Sequence, residues 1–166
     1  MTTIRIIKGR IEDQDVDAIV NSANRWLGNG GGVAGAIYRA AGEGYREACL
    51  KLGGCKTGES KITPGFNLPA KFIIHTVGVH YLFELGDKET LHKSRYLNSL
   101  ELARKNGVRS IAFPSISTGI FQYPILQATI ISLTSIKEYI TNHPVVFDEV
   151  RLVAFDDETF EIMKAA

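Results

Sequence analysis

The chain has 166 residues, a formal net charge of +1 and 45% hydrophobic residues, which suits one domain, spanning 1–166, with a sizeable core that needs no metal or disulfide. The near-neutral charge argues against a non-specific nucleic-acid binder or a polybasic membrane protein. No apolar run approaches the ~18 residues of a membrane span, and the nearest, residues 70–79, contains Lys71 and His75.

In chain order, residues 3–7 predict a first strand and 18–21 a second. A helix over 33–41 follows a glycine-rich loop and can be capped by Gly42, and 44–52 continue as another helical piece. Residues 61–63 form a short strand stopped by Pro64 and Gly65. Residues 71–79 read as a strong central strand, with Phe72, Ile73, Ile74 and Val77 as β-formers. A long amphipathic helix is expected over 87–106, with Leu91, Leu97, Leu100 and Leu102 among charges and Gly107 at its end. Residues 110–113 predict a buried strand, and 125–141 a helix with Pro124 at or near its first turn. Residues 149–155 are the last strand, and 157–164 a terminal helix with acidic residues in its first turn. Strand and helix alternate without repeat, low-complexity segment or linker, so the expectation is an α/β fold with helices on both faces of a mixed sheet.

Cys49 and Cys55 make neither a disulfide framework nor a metal knuckle. The N-terminus is a short alternating segment, not a charged region before an apolar signal core. A reduced, cytoplasmic, monomeric protein is expected, with no membrane partner and no metal.

Two loops carry the chemistry. In the first, a buried-looking strand runs into Asn21 and Asn24, then Gly30, Gly31 and Gly32, then a small-residue helix. Backbone N–H groups are free at a helix start, and glycines let the chain approach an anion closely, so this order suits a phosphate-bearing ligand. The second, Phe113-Pro-Ser-Ile-Ser-Thr-Gly-Ile-Phe-Gln-Tyr-Pro124, also lies between strand and helix. Both loops should lie at one sheet edge, beyond the strand carboxyl ends. The glycines are not spaced as in a dinucleotide fingerprint and lack the lysine of a P-loop, which disfavours a hydride carrier or a nucleotide triphosphatase.

Asn21 reads as a residue that satisfies loop backbone groups, and Asn24, leading into the glycines, as a ligand contact. Ser117, Thr118, Gly119, Ile120 and Phe121 offer hydroxyls, consecutive N–H groups and a ring, which fits a diphosphate with a sugar against Phe121; the alternative is a β–α turn with Phe121 in the core. His75 reads as a satisfied core histidine, and His80, His92 and His143 as surface or loop residues. No two have metal-ligand spacing, and Ser115 and Ser117 show no base partner.

Val20-Asn-Ser-Ala-Asn24 with Gly30-Gly-Gly-Val33, then Ser117-Thr-Gly-Ile-Phe121 before Tyr123-Pro124, and the strand Phe72-Ile-Ile-His-Thr-Val-Gly78, resemble the macrodomain family. The resemblance spans nearly the whole chain. It implies a three-layer α/β/α sandwich around a mixed, mostly parallel six-stranded sheet, binding ADP-ribose or an ADP-ribosylated protein in a crevice and needing no cofactor. Many members remove ADP-ribose from proteins or hydrolyse related esters. By resemblance Asn24 contacts the distal ribose, and Gly30, Gly31, Gly32 and Val33 line that ribose and the diphosphate. Ser117 to Phe121 wrap the diphosphate with Phe121 against the ribose, and Ile11 offers a backbone contact near the adenine. Asn24, Gly32 and Phe121 are the implied catalytic set.

Two departures stand out. The family's Gly-Asp-Ile-Thr segment reads Gly9-Arg10-Ile11-Glu12 here. Arg10, which only donates, replaces the Asp that recognises the adenine amino group; Asp13 or Asp15 could take over that part. One hydrolase subgroup has an Asp after Gly-Gly-Gly-Val, where this chain has Ala34. Other members with Ala there still hydrolyse, the ligand's own diphosphate orienting the water. The resemblance therefore implies either a slow hydrolase or a non-catalytic reader, and Arg10 leaves open a base other than adenine.

Overall fold

Alternation along the strands separates two cores, and the sheet lies between them. The computed structural model describes residues 1–23, 32–56, 59–77, 88–115 and 124–166. Its strands are β1 (Thr3–Lys8), β2 (Ala18–Ala23), β3 (Ser60–Pro64), β4 (Phe72–Val77), β5 (Ser110–Pro114) and β6 (Glu149–Ala154). They form one six-stranded sheet in the order β1-β6-β5-β2-β4-β3. Every neighbouring pair is parallel except β3–β4. That exception follows from the short 65–71 connection, since a parallel crossover needs a dozen or more residues.

The helices are α1 (Gly32–Ala41), α2 (Glu43–Lys51), α3 (Lys88–Lys105), α4 (Ile125–Asn142) and α5 (Asp157–Ala165). On one face Tyr96 and Leu100 of α3, Ile136 of α4 and Met163 of α5 join Val20, Ile74, Ile111 and Leu152. On the other, Ile37 of α1, Tyr45 and Cys49 of α2 and Ile11 of a 3-10 turn (Ile11–Asp13) join Ile19, Ile73, Ala112 and Val153. The result is the expected α/β/α sandwich. β2 and β4 are buried on both sides, which is why residues 18–20 and 72–74 are unbroken apolar stretches.

Asp17 fixes the amino ends of the central strands. Its Oδ2 accepts the N–H groups of Arg109 (2.8 Å) and Ser110 (3.2 Å), at the start of β5. Its carbonyl accepts from Lys71 and Phe72 at 3.0 Å each, at the start of β4. β4 accordingly begins at Phe72, not Lys71; residues 78 and 79 of the expected strand lie outside the described residues. Gly42 (φ +93°) both closes α1, its N–H bonding Tyr38 O at 3.2 Å, and opens α2. A Cβ there would meet Asn67 Nδ2 at 2.8 Å.

α3 bears out Leu100 as a core residue, with Leu97 and Leu102 packed beside it, and widens the stripe with polar residues. Its buried stripe is His92, Arg95, Tyr96, Ser99, Leu100 and Ala103, while Leu91, Leu97 and Leu102 are only half-buried. His92 is fully buried, not a surface residue. Arg95 Nη1 lies 3.0 Å from His92 Nδ1, and the ring of His92 packs edge-on against Tyr96. Polar groups occupy the core face because they meet one another there.

Candidate functional site

The site is set by where the chain changes direction. β2 and β5 are parallel neighbours. The chain leaves β2 through α1 on one face and returns toward β3 and β4, and it leaves β5 through α4 on the other face and returns to β6. Connections that diverge from adjacent strands open a crevice at their carboxyl ends. β2 ends at Ala23 and β5 at Pro114 on this edge.

Helices α1, α3, α4 and α5 all follow carboxyl ends at this edge, and the two that come after β2 and β5 share an electrostatic feature. α1 and α4 have no acidic residue in the first turn. α2, α3 and α5 begin with Glu43, with Glu89, and with Asp157 and Glu158. The positive ends of α1 and α4 therefore carry no carboxylate in their own first turns. α1 contains no carboxylate along its whole length, and Ala34 is buried in it.

Of the predicted site residues, Ile11, Gly32 and Val33 lie among the described residues. Gly32 is the first residue of α1 and Val33 follows, half-buried against the core. The Ile11 side chain is buried with α1, so the 3-10 turn can offer a ligand only backbone at this position. Asn24, Gly30, Gly31, Ser117, Thr118, Gly119, Ile120 and Phe121 lie outside the described residues.

Beneath the end of β2 is a buried polar network. Asn21 Nδ2 donates to Tyr45 Oη at 2.9 Å and lies 3.1 Å from His75 Nδ1. His75 Nε2 is 2.9 Å from Thr63 Oγ1. Burial pushes the imidazole down to about 4 and so keeps it neutral. The bonds close when Nδ1 accepts from Asn21 and Nε2–H donates to Thr63. Burial also pushes the Tyr45 phenol and the Cys49 thiol up. Asn21 thus has a structural part, and His75 is the core histidine the sequence suggested. Among the described residues no His, Cys, Asp and Glu side chains gather as metal ligands do.

At the other end of the edge, β1 and β6 finish together, Lys8 beside Ala154. Arg10 follows β1 and is exposed. Asp15, one of the alternatives for its missing carboxylate, is paired with Arg151 at 3.0 Å, which holds its carboxyl below the usual range. The sequence reading missed Phe155. It was placed in the last strand, but β6 ends at Ala154 and the Phe155 ring is 78% exposed. Asp156 is the N-cap of α5, its Oδ1 accepting from Thr159 N–H at 2.7 Å. Asp156 followed by the acidic pair Asp157 and Glu158 was the signal for this boundary. A residue before an N-cap often packs back on its helix; Phe155 instead is exposed, one residue after Ala154, whose carbonyl accepts from Gly9 N–H at 2.9 Å just before Arg10.

The model of the Macro domain family matches residues 20–132. A macro domain-containing protein of Chlorobaculum tepidum is 49% identical over 164 residues, 98% of this chain and 94% of that protein. The ADP-ribose glycohydrolase MACROD2 of Xenopus laevis is 45% identical over 165 residues, 97% of this chain and 39% of that longer protein. A Trypanosoma brucei macrodomain solved in complex with ADP-ribose superposes with a TM-score of 0.92 at 37% identity, covering 98% of this chain and 68% of that one.

Proposed function

This chain belongs to the macro domain family, and from that premise we propose that it binds ADP-ribose in the β2–β5 crevice and hydrolyses ADP-ribosyl linkages of the mono-ADP-ribosyl-protein type. The observation that carries the reading is the divergence of α1 and α4 from adjacent strands with no acid in either first turn. A diphosphate gains from both helix ends without meeting a like charge. The adenosine half would extend toward the 3-10 turn and the exposed Phe155, where a purine can stack. The distal ribose would lie toward Asn24 and the glycines. The solved relative with ADP-ribose and the glycohydrolase relative support this assignment.

The chemistry would rest on positioning. Water attacks the anomeric carbon of the distal ribose, a C–O bond forms, and the bond to the modified carboxyl side chain breaks. With Ala34 in α1 and no carboxylate on that helix, the ligand's own diphosphate orients the water, whose proton passes to solvent as the modified side chain leaves as a carboxylate. Asn24, Gly32 and Phe121 hold the ribose in the attacking geometry. Such a mechanism draws on proximity and fixed dipoles instead of a protein general base. Ala34 equally favours a second reading, a non-catalytic module that binds ADP-ribose.

Calorimetric titration with ADP-ribose, ADP and AMP, followed by a release assay on a protein mono-ADP-ribosylated on acidic residues, tests both readings. Micromolar binding of ADP-ribose above ADP, with release that Asn24→Ala abolishes in a folded protein, is the expected result. Binding without release selects the non-catalytic module, and absence of binding refutes the ADP-ribose reading.

A further inference from the structure

The 3-10 turn at the adenosine end is held from behind by a relay of side chains across the sheet. Gln14, buried in the structure, donates from Nε2 to the carbonyl of Arg10 at 3.0 Å. Its Oε1 accepts from Arg151 Nη1 at 3.0 Å. Arg151 stands on β6 with its side chain 15% exposed, and its Nε donates to Glu149 Oε1 at 2.8 Å. Glu149 Oε2 in turn accepts from Arg5 Nη1 of β1 at 2.9 Å. The turn's backbone bonds are local or at its start: Asp13 N–H to Arg10 O at 3.2 Å, Gln14 N–H to Ile11 O at 3.3 Å, and Gly9 N–H to Ala154 O at 2.9 Å. Gln14 Nε2 also lies where a Cβ on Gly9 would touch it at 3.4 Å.

The Gln14 amide is suited to this task because it must donate on one side and accept on the other. A carboxylate would accept from Arg151 but repel the Arg10 carbonyl. An aliphatic side chain would remove both bonds, leaving the Arg10 carbonyl with only the local Asp13 N–H at 3.2 Å and Arg151 Nη1 with only the exposed Asp15 at 3.0 Å, so that nothing polar ties the turn to β6 through Gln14.

We propose that Gln14 and Arg151 are positioning residues for base recognition: through the Arg10 carbonyl they fix the 10–13 turn, and so the Ile11 backbone and the Arg10 side chain, against the purine of the bound nucleotide. The inference rests on the reading that the adenosine half occupies this end of the crevice. Neither side chain touches the ligand. Their effect is confined to the part of the ligand that meets the turn, and the diphosphate and distal ribose, held by the β2–α1 and β5–α4 segments, do not feel it.

The test compares two probes on the intact chain by calorimetry: ADP-ribose, and the abasic analogue in which two riboses are joined by a diphosphate. Gln14→Leu and Arg151→Ala are each expected to weaken ADP-ribose about tenfold, the loss of roughly one buried hydrogen bond's worth of fixed geometry. The abasic analogue should change by less than about twofold. Gln14→Glu should behave like Gln14→Leu, and Arg5→Ala, at the far end of the relay, should leave both affinities unchanged. Equal losses on both probes would mean that the relay merely supports the fold, and no loss on either would mean that the turn keeps its geometry without it; each overturns the proposal. A wild-type protein that binds both probes equally overturns it too, whereas one that binds neither refutes the ADP-ribose reading beneath it.

Discussion

Acidification should destabilise this protein markedly by pH 5, through its buried histidines. His75 and His92 are both fully buried. Burial pushes His75 down to about 4, and burial with the Arg95 charge beside it pushes His92 down to about 3. In the unfolded chain both return to about 6.5. Both folded values are depressed, so the neutral rings contribute full stability above pH 6.5, and that stability is lost as pH falls toward 4, because the unfolded chain binds protons that the folded one refuses. At pH 5 an unfolded imidazole sits about 1.5 pH units below its pKa, worth ~2 kcal/mol, so the pair removes ~4 kcal/mol. That is a large share of the 5–15 kcal/mol typical of a domain. Glu101 is held down to about 2 by Arg104 and the Tyr139 hydroxyl, so its contribution is present above its unfolded value and fades only at lower pH. Urea unfolding at pH 7.5, 6 and 5 measures the drop, and His75→Asn should remove about half of it, whatever that substitution costs at pH 7.5. A fall below ~1 kcal/mol, or an unchanged pH slope in the variant, would refute the assignment of neutral buried imidazoles.

Gly65→Ala should lower the melting temperature by roughly 6–12 °C, since its Cβ would lie 1.9 Å from the Ala70 carbonyl oxygen and force the β3–β4 turn apart; a calorimetric scan decides it. Asp17→Ala, which strips the acceptor from the N–H groups of Arg109 and Ser110, should cost roughly 1–3 kcal/mol in urea unfolding. Arg10→Asp should tighten ADP-ribose in a titration by supplying an acceptor for the adenine amino group; an unchanged affinity would mean that the guanidinium faces solvent. Gly32→Glu, at the first residue of α1, should abolish ADP-ribose binding through bulk and like charge in a protein that melts normally.

The strands were legible because burial on both faces writes itself into the residues. Ile19, Val20, Ile73 and Ile74 are β-branched and wholly buried, and helix ends at Gly42 and Gly107 follow from the chain's need for positive φ there. The stripe on α3 was legible at Leu100, with Leu97 and Leu102 packed beside it, but incomplete, because His92 and Arg95 enter the core only by virtue of partners that local sequence does not name. The order of the strands, and with it the crevice between β2 and β5, depends on contacts distant in sequence. Phe155 was hidden in the apolar run Leu152-Val-Ala-Phe155, where strand and cap signals overlap. The Gln14–Arg151 pair spans 137 positions, beyond any local pattern. The motif residues Asn24, Gly30, Gly31 and Ser117 to Phe121 were the clearest signal in the chain, yet they lie outside the described residues, so their assigned parts rest on resemblance.

The bonds that Asp17 makes to the starts of β4 and β5 give the sandwich a clamped base and an open rim. A frame anchored at one end tolerates substitution at the other, so the 24–31 and 116–123 segments can be treated as exchangeable cassettes. Grafting them from a relative with different ligand preference would move the preference without redesigning the cores, because the strands that present the segments are aligned from below. Preference at the diphosphate and distal ribose is then an interchangeable part, separate from the base recognition proposed for the 10–13 turn, and the clamp at Asp17 is what makes the exchange mechanically possible.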